Sequence, residues 1–495
     1  MKNHFKIIAL VIALLMICAA CASFVSCDAL LDDEGDDGEG NVPAGTEATP
    51  EDIEKTNYDK QFFLSILPDS NPMDSYWVEK SEGDAMSEAV YARQEKVRNW
   101  IGVEIIGKSA GNHSTYVQPF RTAVKNQDGS VDTLMTHVNQ GVAGFISERF
   151  VQNLDDFPGI DLDKEYWNKD FMDALAIEDN YFLGFSDFNI LYTHVIAFNK
   201  TMMESYANSM EKTPYEMVED YEWTLDAMIS LAKLVYNDKT GDGKSEDDTF
   251  GITGQQWVPW IGFLHASDIN LIEMSEKGAY EISVMSTKNK EKTTDVVTKL
   301  KELSDSNYGY FTFPDFVNPG VPAPISLTTG RTLMQLTSTF SLNSFLNYNV
   351  KFGVLPYPMY DTNQKDVGYR SLQWGGYLCV PAYVNDAQMV GETLELLAFY
   401  SEDVKITFYE KQLGKQVADV PEDRRMLDIV WDGVCTDMGQ TYGDECPGIM
   451  YFFNYVTRTD TGKELSSYLA TFERTSNGQL SKFIKRVKMN INNNK

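Results

Sequence analysis

Hydrophobic and polar residues follow two rhythms along this chain. Short apolar runs such as QFFLSIL, GVEIIG and FGITG have the length of β-strands and are bounded by turn residues. Between such runs, apolar residues recur three and four positions apart, as in an amphipathic helix. The clearest helix follows Thr224, a typical N-cap. Its predicted buried stripe consists of Leu225, Met228, Ile229, Leu231, Ala232 and Val235. From Tyr58 onward, strands that alternate with helices predict an α/β protein with largely parallel sheets.

The amino terminus has the features of an export signal. A basic MKNHFK segment precedes the apolar run IIALVIALLMICAACA, which is too short and too abruptly followed by acidic residues for a membrane-spanning helix. The segment ends in FVSC, and a small residue before Cys resembles a bacterial lipobox, in which the Cys is lipidated and becomes the new amino terminus. We predict a lipoprotein signal peptide over residues 1–27 with Cys27 lipidated. Cys21, in CAAC, and an ordinary cleaved signal are the alternatives.

An acidic segment follows the signal. Residues 28–56 are rich in Asp, Glu, Gly and Pro and hold few large apolar side chains, so we predict a disordered tether. The body would then be exported and lipid-anchored to the outer face of the bacterial cytoplasmic membrane. The 495 residues carry a net charge of -31, which argues against a nucleic-acid surface and favours a neutral or cationic ligand. The length suggests two or three domains.

The loop NDKTGDGKSEDDTFG, residues 237–251, raises a choice between a phosphate site and a metal site. A phosphate-binding P-loop needs Gly where this chain has Asp238, and it needs a strand before it, whereas this loop follows a helix. A calcium loop needs oxygen ligands at positions 1, 3 and 5, Gly at 6 and a carbonyl at 7. Those positions hold Asp238, Thr240, Asp242, Gly243 and Lys244.

The last position of the calcium pattern departs from the rule, because it holds Thr249 instead of Glu. Glu246 and Asp247 could complete the shell in its place. We therefore predict a structural calcium ion, remote from any reaction. A solvated acidic turn is the alternative.

Cysteine and histidine spacing indicates no further metal site, since no CxxC, HExxH or HxH pattern occurs. Beyond the signal peptide the cysteines are Cys379, Cys435 and Cys446. In an exported protein, Cys435 and Cys446 could form a disulfide that closes a short loop. Free buried thiols are the alternative.

Several segments together resemble one family. They are EGDAMSEAVYARQEKV, DLDKEYWNKDFMDALAIEDNYFLGFSDF, EWTLDAMISLAKLVYNDKTGDGKSEDDTFGITG, GVLPYPMYDTNQKDVGYRSLQWGGYLCVP and RRMLDIVWDGVCTDMGQTYG. In this order they are similar to the extracellular solute-binding proteins (family 1) of bacterial ABC carbohydrate importers. Some members of that family hold calcium in the acidic loop. The matching positions here are Asp238, Thr240, Asp242, the Lys244 carbonyl, Glu246 and Asp247.

The resemblance implies a type II periplasmic-binding fold, in which two α/β lobes joined by crossover strands hold a ligand in the cleft between them. The first lobe would comprise residues 57–188 with a return segment at 336–376. The second would comprise residues 189–335 with a carboxyl-terminal helical part at 377–495. Crossovers are expected near residues 187–192, 334–338 and 374–380.

The function implied by the resemblance is binding rather than catalysis. A monomeric protein would capture a mono- or oligosaccharide by closing its cleft and deliver it to the membrane permease of an ABC transporter, with no catalytic cofactor. No GxSxG motif and no nucleophile–base signature supports an enzyme. The alternatives are an exported carbohydrate-active enzyme, such as a glycosidase or lyase lipoprotein, and a solute-binding protein for a non-sugar ligand.

A sugar presents hydroxyl groups and flat apolar faces, so its site needs exposed aromatic rings with polar side chains beside them. The tryptophans expected in the cleft are Trp77, Trp257, Trp260 and Trp374, each with core packing as the alternative. The polar candidates are His137 and Asn139 after a strand, Asp187 at the first crossover, and Arg370 before the Trp374 strand. A structural role is the alternative for His137.

Overall fold

The computed structural model describes residues 50–66, 73–109, 117–137, 141–255, 258–312, 325–417, 420–443, 445 and 465–492. The predicted signal peptide with Cys21 and Cys27 lies outside this set, as do Asn139, Trp257 and Cys446. No helix within these ranges is both long and apolar enough to cross a membrane.

The strands form two main sheets, and each sheet has a parallel centre. The described strands are β1 (Lys60–Ile66), β2 (Val103–Ser109), β3 (Thr133–His137), β4 (His194–Asn199), β5 (Phe250–Gln255), β6 (Ile272–Met274), β7 (Tyr280–Ile282), β8 (Gly309–Thr312), β9 (Thr332–Ser338), β10 (Phe352–Leu355), β11 (Ser371–Leu372), β12 (Gly376–Cys379) and β13 (Val434–Cys435). The first sheet has the order β12-β3-β1-β2 and the second β10-β4-β9-β5-β8, while β11-β13 and β6-β7 form separate pairs. In the first sheet β2 and β3 run parallel to β1, with β12 antiparallel at the edge. In the second sheet β8 and β9 run parallel to β5, β4 runs antiparallel to β9, and β10 runs antiparallel to β4.

Helices connect the strands, as the alternating pattern predicts. They are α1 (Met73–Tyr76), α2 (Ala85–Ile101), α3 (Val117–Asn126), α4 (Val142–Ser147), α5 (Lys169–Leu175), α6 (Lys200–Tyr206), α7 (Pro214–Glu219), α8 (Leu225–Val235), α9 (Val258–Ala266), α10 (Lys290–Asp305), α11 (Thr339–Phe345), α12 (Ala387–Phe399), α13 (Glu402–Ile406), α14 (Pro421–Asp432), α15 (Met438–Thr441) and α16 (Leu465–Asn492). A π-helix spans Thr407–Val417, and short 3₁₀ turns occur at Ala207–Ser209, Leu327–Thr329 and Thr362–Asp366. The α/β class is confirmed.

Two helix starts are those that the sequence predicts. Asp84 accepts hydrogen bonds from the N–H groups of Met86 and Ser87, both at 3.0 Å, and so caps α2. Thr224 accepts from the N–H of Ala227 at 3.3 Å and caps α8. The whole predicted apolar stripe of α8 is buried. Local sequence patterns therefore define these elements well.

Two chain segments run side by side between the sheets. Thr193 and Gln373 form an isolated antiparallel bridge. The N–H of Trp374 donates to the Tyr192 carbonyl at 2.6 Å. The crossovers predicted near residues 187–192 and 374–380 are thus neighbours in the structure.

The sheet membership of three later strands differs from the expected lobe segments. β9 and β10 belong to the second sheet and β12 to the first, whereas residues 336–376 were expected in the first lobe and 377–495 in the second. The expected crossover at 334–338 is also wrong, because those residues lie inside β9, which is paired with both β4 and β5. Pairing between strands so distant in sequence leaves no local pattern. The lobe boundaries themselves stay a prediction.

The carboxyl end of the predicted tether packs on the body. Ile53 is buried, and its carbonyl accepts from Nε1 of Trp100 at 2.9 Å. The N–H of Thr56 donates to the Trp100 carbonyl at 3.1 Å. The prediction of a tether reaching residue 56 is therefore wrong for residues 50–56, because one apolar side chain and the indole at the end of α2 fasten them.

Candidate ligand-binding cleft

A cavity of about 540 Å³ lies between elements that follow the two main sheets. One wall is the segment from Ser75 to Ser87, which leads from β1 into α2. A second part of the lining is the start of α11, which directly follows β9 of the second sheet. The π-helix adds Phe408. This volume lies within the range of small-molecule sites.

Aromatic rings line both walls of this cavity. Trp77 contributes from the first wall, and Phe340 contributes from the second. Phe340 is 43% exposed, although an aromatic side chain of this size is usually covered. Phe408 lies beneath and is itself buried. Two rings in one cavity can both contact flat apolar surfaces of a ligand.

The polar lining is acidic and rich in hydroxyl and amide groups. The charged members are Glu79, Lys80, Glu82 and Asp84. The neutral polar members are Ser75, Ser87, Ser341, Asn343 and Ser344. Hydroxyl and amide groups can both donate and accept hydrogen bonds, and carboxylates accept them. The cavity therefore suits a neutral or cationic ligand that carries several hydroxyl groups.

The indole of Trp77 is fixed from below. Its Nε1 donates to the Ile105 carbonyl on β2 at 2.8 Å. The ring lies directly over Gly107, where an added Cβ would come within 2.5 Å of the indole. Only glycine leaves room for the ring at this point of β2. Trp77 thus lines the cavity, as its predicted role requires, and its contact with a ligand stays a prediction.

Phe340 is the residue that sequence reasoning missed. It packs against Tyr192 with ring centroids 5.4 Å apart, and Phe408 packs on the same Tyr192 at 5.6 Å. Burial raises the pKa of Tyr192 well above its ordinary value, so its hydroxyl stays protonated. No local sequence signal separates Phe340 from a core aromatic residue such as Trp260, which also follows a strand.

Trp374 lies at the crossovers and joins the two sheets. Its ring is 5.0 Å from that of His137, at the end of β3, and 5.7 Å from that of His194, at the start of β4. Burial lowers the pKa of His194 to about 4, so that imidazole is neutral at pH 7. Trp374 and His137 do not line the cavity that Trp77 and Phe340 line. The contact of either residue with a ligand stays a prediction.

Two further predicted residues lie elsewhere. Trp260 is 1% exposed and packs edge-on against Phe311 at 5.0 Å, so it belongs to the core. Arg370 donates to Asp268 at 2.7 Å and to Asn270 at 3.1 Å. Burial of the indole leaves no surface of Trp260 for a ligand, so its predicted contact is wrong. The contact of Arg370 with a ligand stays a prediction.

Asp187 faces a different cavity. It pairs with Lys405 at 2.6 Å and lines a space of about 280 Å³ together with Tyr409 and Trp431. It is therefore absent from the lining of the larger cavity. Its side chain is turned toward Lys405 of α13, and its contact with a ligand stays a prediction.

The acidic loop is closed by hydrogen bonds to its own backbone. Asp238 accepts from the N–H groups of Gly241 at 2.6 Å and Gly243 at 3.1 Å. Asp248, which is fully buried, accepts from the N–H groups of Lys239 at 3.1 Å and Ser245 at 2.9 Å. The sequence singled out Asp238 for a metal but did not predict this role for Asp248.

The other predicted calcium ligands point to separate partners. Thr240 donates to Asp242, and Lys244 Nζ donates to the Ser306 carbonyl at 3.0 Å. Glu246 accepts from the Tyr310 hydroxyl at 3.1 Å, and Asp247 lies 3.8 Å from Arg331. Over the described ranges, no three His, Cys, Asp or Glu side chains are grouped to hold a metal ion. The predicted Lys244 ligand is its carbonyl, not its ammonium group, and occupancy of the loop by calcium stays a prediction.

The proposed disulfide also stays a prediction. The thiol of Cys435 donates weakly to the Ser371 carbonyl at 3.5 Å, while Cys446 is outside the described residues. Burial raises the pKa of both the Cys435 and the Cys379 thiols. Both are therefore unreactive in the protonated form.

The fold is similar to those of several solved substrate-binding proteins. The GacH receptor of Streptomyces glaucescens, solved unliganded and with acarbose, matches with a TM-score of 0.53 and 15% identity, over 87% of this chain and 98% of that one. An ABC substrate-binding protein of Listeria monocytogenes, solved with cycloalternan, matches with a TM-score of 0.51 and 12% identity, over 88% and 99%. The maltose-binding periplasmic protein MalE of Listeria monocytogenes, solved with maltose, matches with a TM-score of 0.52 and 12% identity, over 88% and 98%.

Sequence comparison adds nothing to this likeness, because no family profile and no curated protein matches the chain. At these identities the likeness shows the fold alone. The two-lobed type II periplasmic-binding fold that the sequence implied is confirmed. The three similar structures are, by name, receptors or binding proteins rather than enzymes.

Proposed function

We propose that this protein is the substrate-binding component of an ABC importer and captures a mono- or oligosaccharide in the cleft between its lobes. The observation that carries the proposal is the shared cavity of Trp77 and Phe340, one ring from each wall. The similar structures were solved with acarbose, cycloalternan and maltose, which supports a carbohydrate.

The energetics of such a site are sufficient for useful affinity. Covering one face of an indole removes roughly 100 Å² of apolar surface from water, worth about 2.5 kcal/mol at 25 cal/mol per Å². Rings on both walls can contribute only when the walls approach, so the ligand favours the closed form. Closure is then a population shift, set by the difference in affinity between open and closed states.

The remaining parts of the proposal follow from the sequence. We propose export by residues 1–27, a lipid anchor at Cys27 or Cys21, and a monomer that passes its ligand to a membrane permease. The net charge of -31 disfavours nucleic acid as a partner. We also propose a structural calcium ion in the loop of residues 237–251. A non-sugar solute is the alternative to a carbohydrate ligand.

An exported glycosidase or lyase is the rival function, because Glu79, Glu82 and Asp84 line the cavity. A glycosidase needs one carboxyl group that is protonated at working pH. Hydrogen bonding by Ser87 holds the pKa of Asp84 below its usual range, and its carboxylate already caps α2. Asp84 is thus unsuited to the role of the acid.

Fluorescence titration tests the proposal. The purified protein is titrated with maltose, acarbose, cycloalternan, cellobiose and xylobiose, and tryptophan emission is followed. We expect saturable binding of at least one sugar, with Trp77→Ala and Phe340→Ala each weakening it at least tenfold and Leu346→Ala, exposed but outside the cavity, having no effect. The bound sugar should be recovered intact by chromatography. Conversion of the sugar would show that the protein is an enzyme. If no sugar changed the tryptophan emission, the proposal of a sugar ligand would fail and only the fold assignment would stand.

A further inference from the structure

The segment that carries Trp77 is held by two neighbouring side chains of α2. Nη2 of Arg93 donates to the carbonyls of Ser75 at 3.1 Å and Tyr76 at 2.7 Å. Gln94 makes a two-way contact with the backbone of Val78: its Nε2 donates to the carbonyl at 2.9 Å and its Oε1 accepts from the N–H at 2.9 Å. The backbone is therefore bound immediately before and immediately after Trp77.

Arg93 is an unusual residue to find in this place. It is 1% exposed, and within the described ranges no carboxylate forms an ion pair with it. Its guanidinium lies 4.6 Å from the ring centroid of Phe188, and Nη1 donates to the Ser401 hydroxyl at 2.9 Å. Burial lowers the pKa of Arg93 to about 9, which leaves it charged at neutral pH.

A buried charge without a counter-ion is costly, and an apolar side chain would fill the same space at lower cost. The guanidinium adds a fixed hydrogen-bond geometry, because its planar arrangement of N–H donors orients the carbonyls that it binds. Those carbonyls belong to the wall of the ligand cavity. Ser401, its third partner, precedes the π-helix that brings Phe408 to the same cavity.

We infer that Arg93 and Gln94 are positioning residues that hold Trp77 in its ligand-binding orientation before any ligand arrives. This inference rests on the proposed function, since it assigns a role in that same site. The indole itself is set by Ile105 and Gly107, and the two α2 side chains set the backbone that presents it. Because the ring is already fixed in the free protein, less conformational entropy is lost when the ligand binds.

A double-mutant cycle tests the inference. Gln94→Met keeps the length of the side chain and removes both hydrogen bonds to Val78. Using the panel sugar that the wild type binds, we expect about tenfold weaker binding in Gln94→Met, the equivalent of about 1.4 kcal/mol. In a Trp77→Ala background the same substitution should change affinity less than about twofold. Arg98→Met, on the exposed side of the same helix, is the matched control and should bind like the wild type.

A ligand-free readout keeps the two proposals separate. In protein labelled with 5-fluorotryptophan, the ¹⁹F resonance of Trp77 is assigned by its loss in Trp77→Phe. We expect that resonance to shift or broaden in Gln94→Met and in Arg93→Lys, but not in Arg98→Met. If no sugar binds but the resonance responds, the proposed function fails while the positioning role stands.

The inference is overturned by either of two results. The first is an unchanged Trp77 resonance in a folded Gln94→Met protein. The second is an equal loss of affinity in the Trp77 and Trp77→Ala backgrounds, which would make the effect a general one on the fold. Because Arg93→Lys could fail to fold, Gln94→Met carries the decision.

Discussion

The indole of Trp374 lies edge-on against the imidazole of His137, with ring centroids 5.0 Å apart and planes at 78°. The same indole contacts His194 at 5.7 Å. His137 ends a strand of the first sheet, and His194 begins a strand of the second. One side chain on a crossover thus connects the two sheets by packing, at the place where any movement of the lobes must be accommodated.

Replacing Trp374 tests this connection. Trp374→Ala should lower the free energy of unfolding by about 3 kcal/mol, because both ring contacts and their buried area are lost. Trp374→Phe should retain more than half of that stability. Urea denaturation followed by circular dichroism measures both. Unchanged stability in Trp374→Ala would show that the ring contacts do not support the crossover.

Gly107 offers a way to move Trp77 without altering it. In Gly107→Ala the new methyl group would approach the indole within 2.5 Å, so the ring must shift. We expect a loss of about 2 kcal/mol in stability from overpacking and a clear change in the Trp77 emission. Sugar binding should weaken as well.

The control for this substitution is Gly478→Ala on α16, where no atom lies within 4 Å of the added Cβ. That change should be neutral or stabilising, because alanine favours a helix. If Gly107→Ala bound sugar as tightly as the wild type, the position of Trp77 would not determine affinity.

The sequence predicted local structure far better than it predicted the cleft. The helix after Thr224 and the cap at Asp84 follow from periodicity and from side-chain hydrogen bonds within one turn, and neither requires knowledge of distant residues. Trp77 could be placed because it follows the first strand. Phe340 could not, since its exposure depends on how α11 leaves the second sheet.

Errors at other positions have the same origin. Trp260 and Phe340 are both large aromatic residues near the end of a strand, and no local signal separates the one in the core from the one in the cleft. The strands β9 and β10 lie in the second sheet, where they pair with β4, far away in sequence, although residues 336–376 are predicted to lie in the first lobe. Such pairings are fixed by tertiary packing alone.

Asp132 should make stability depend on pH. It is 3% exposed, and its carboxylate accepts from the N–H of Phe63 at 2.8 Å. Burial raises the pKa of Asp132 from 3.8 to about 6, against the opposing effect of Lys108. The folded state therefore holds the proton more tightly than the unfolded chain, and the free energy of unfolding falls as pH rises through this interval.

Asp132→Asn keeps an acceptor for the N–H of Phe63 and removes the charge. We expect this variant to lose the decrease in the free energy of unfolding between pH 4 and 6. At pH 7 it should be more stable than the wild type, by at most about 3 kcal/mol. Urea unfolding at four pH values measures this. Asp155→Asn, at an exposed turn, should leave the slope unchanged. Parallel curves for wild type and Asp132→Asn would contradict the prediction.

Asp248 should hold the acidic loop closed. Its buried carboxylate accepts two backbone N–H groups, from Lys239 and Ser245. Asp248→Ala leaves both donors without a partner, so we expect a loss of about 2 to 3 kcal/mol in stability. Asp247→Ala, whose side chain is 80% exposed, should change stability by less than about 0.5 kcal/mol. Equal behaviour of the two variants in denaturation would refute this role.

Thermal unfolding with calcium chloride and with EDTA tests whether the same loop binds calcium. An ion that binds only the folded state raises the melting temperature with its concentration. If the sequence prediction is correct, calcium should raise the melting temperature of the wild type but not of Asp242→Asn, which loses a charged ligand at the fifth position. Magnesium at the same concentration serves as the control, because it fits a flexible oxygen site poorly. Identical melting temperatures in calcium and EDTA would mean that Asp238 and Asp248 close the loop through the backbone alone.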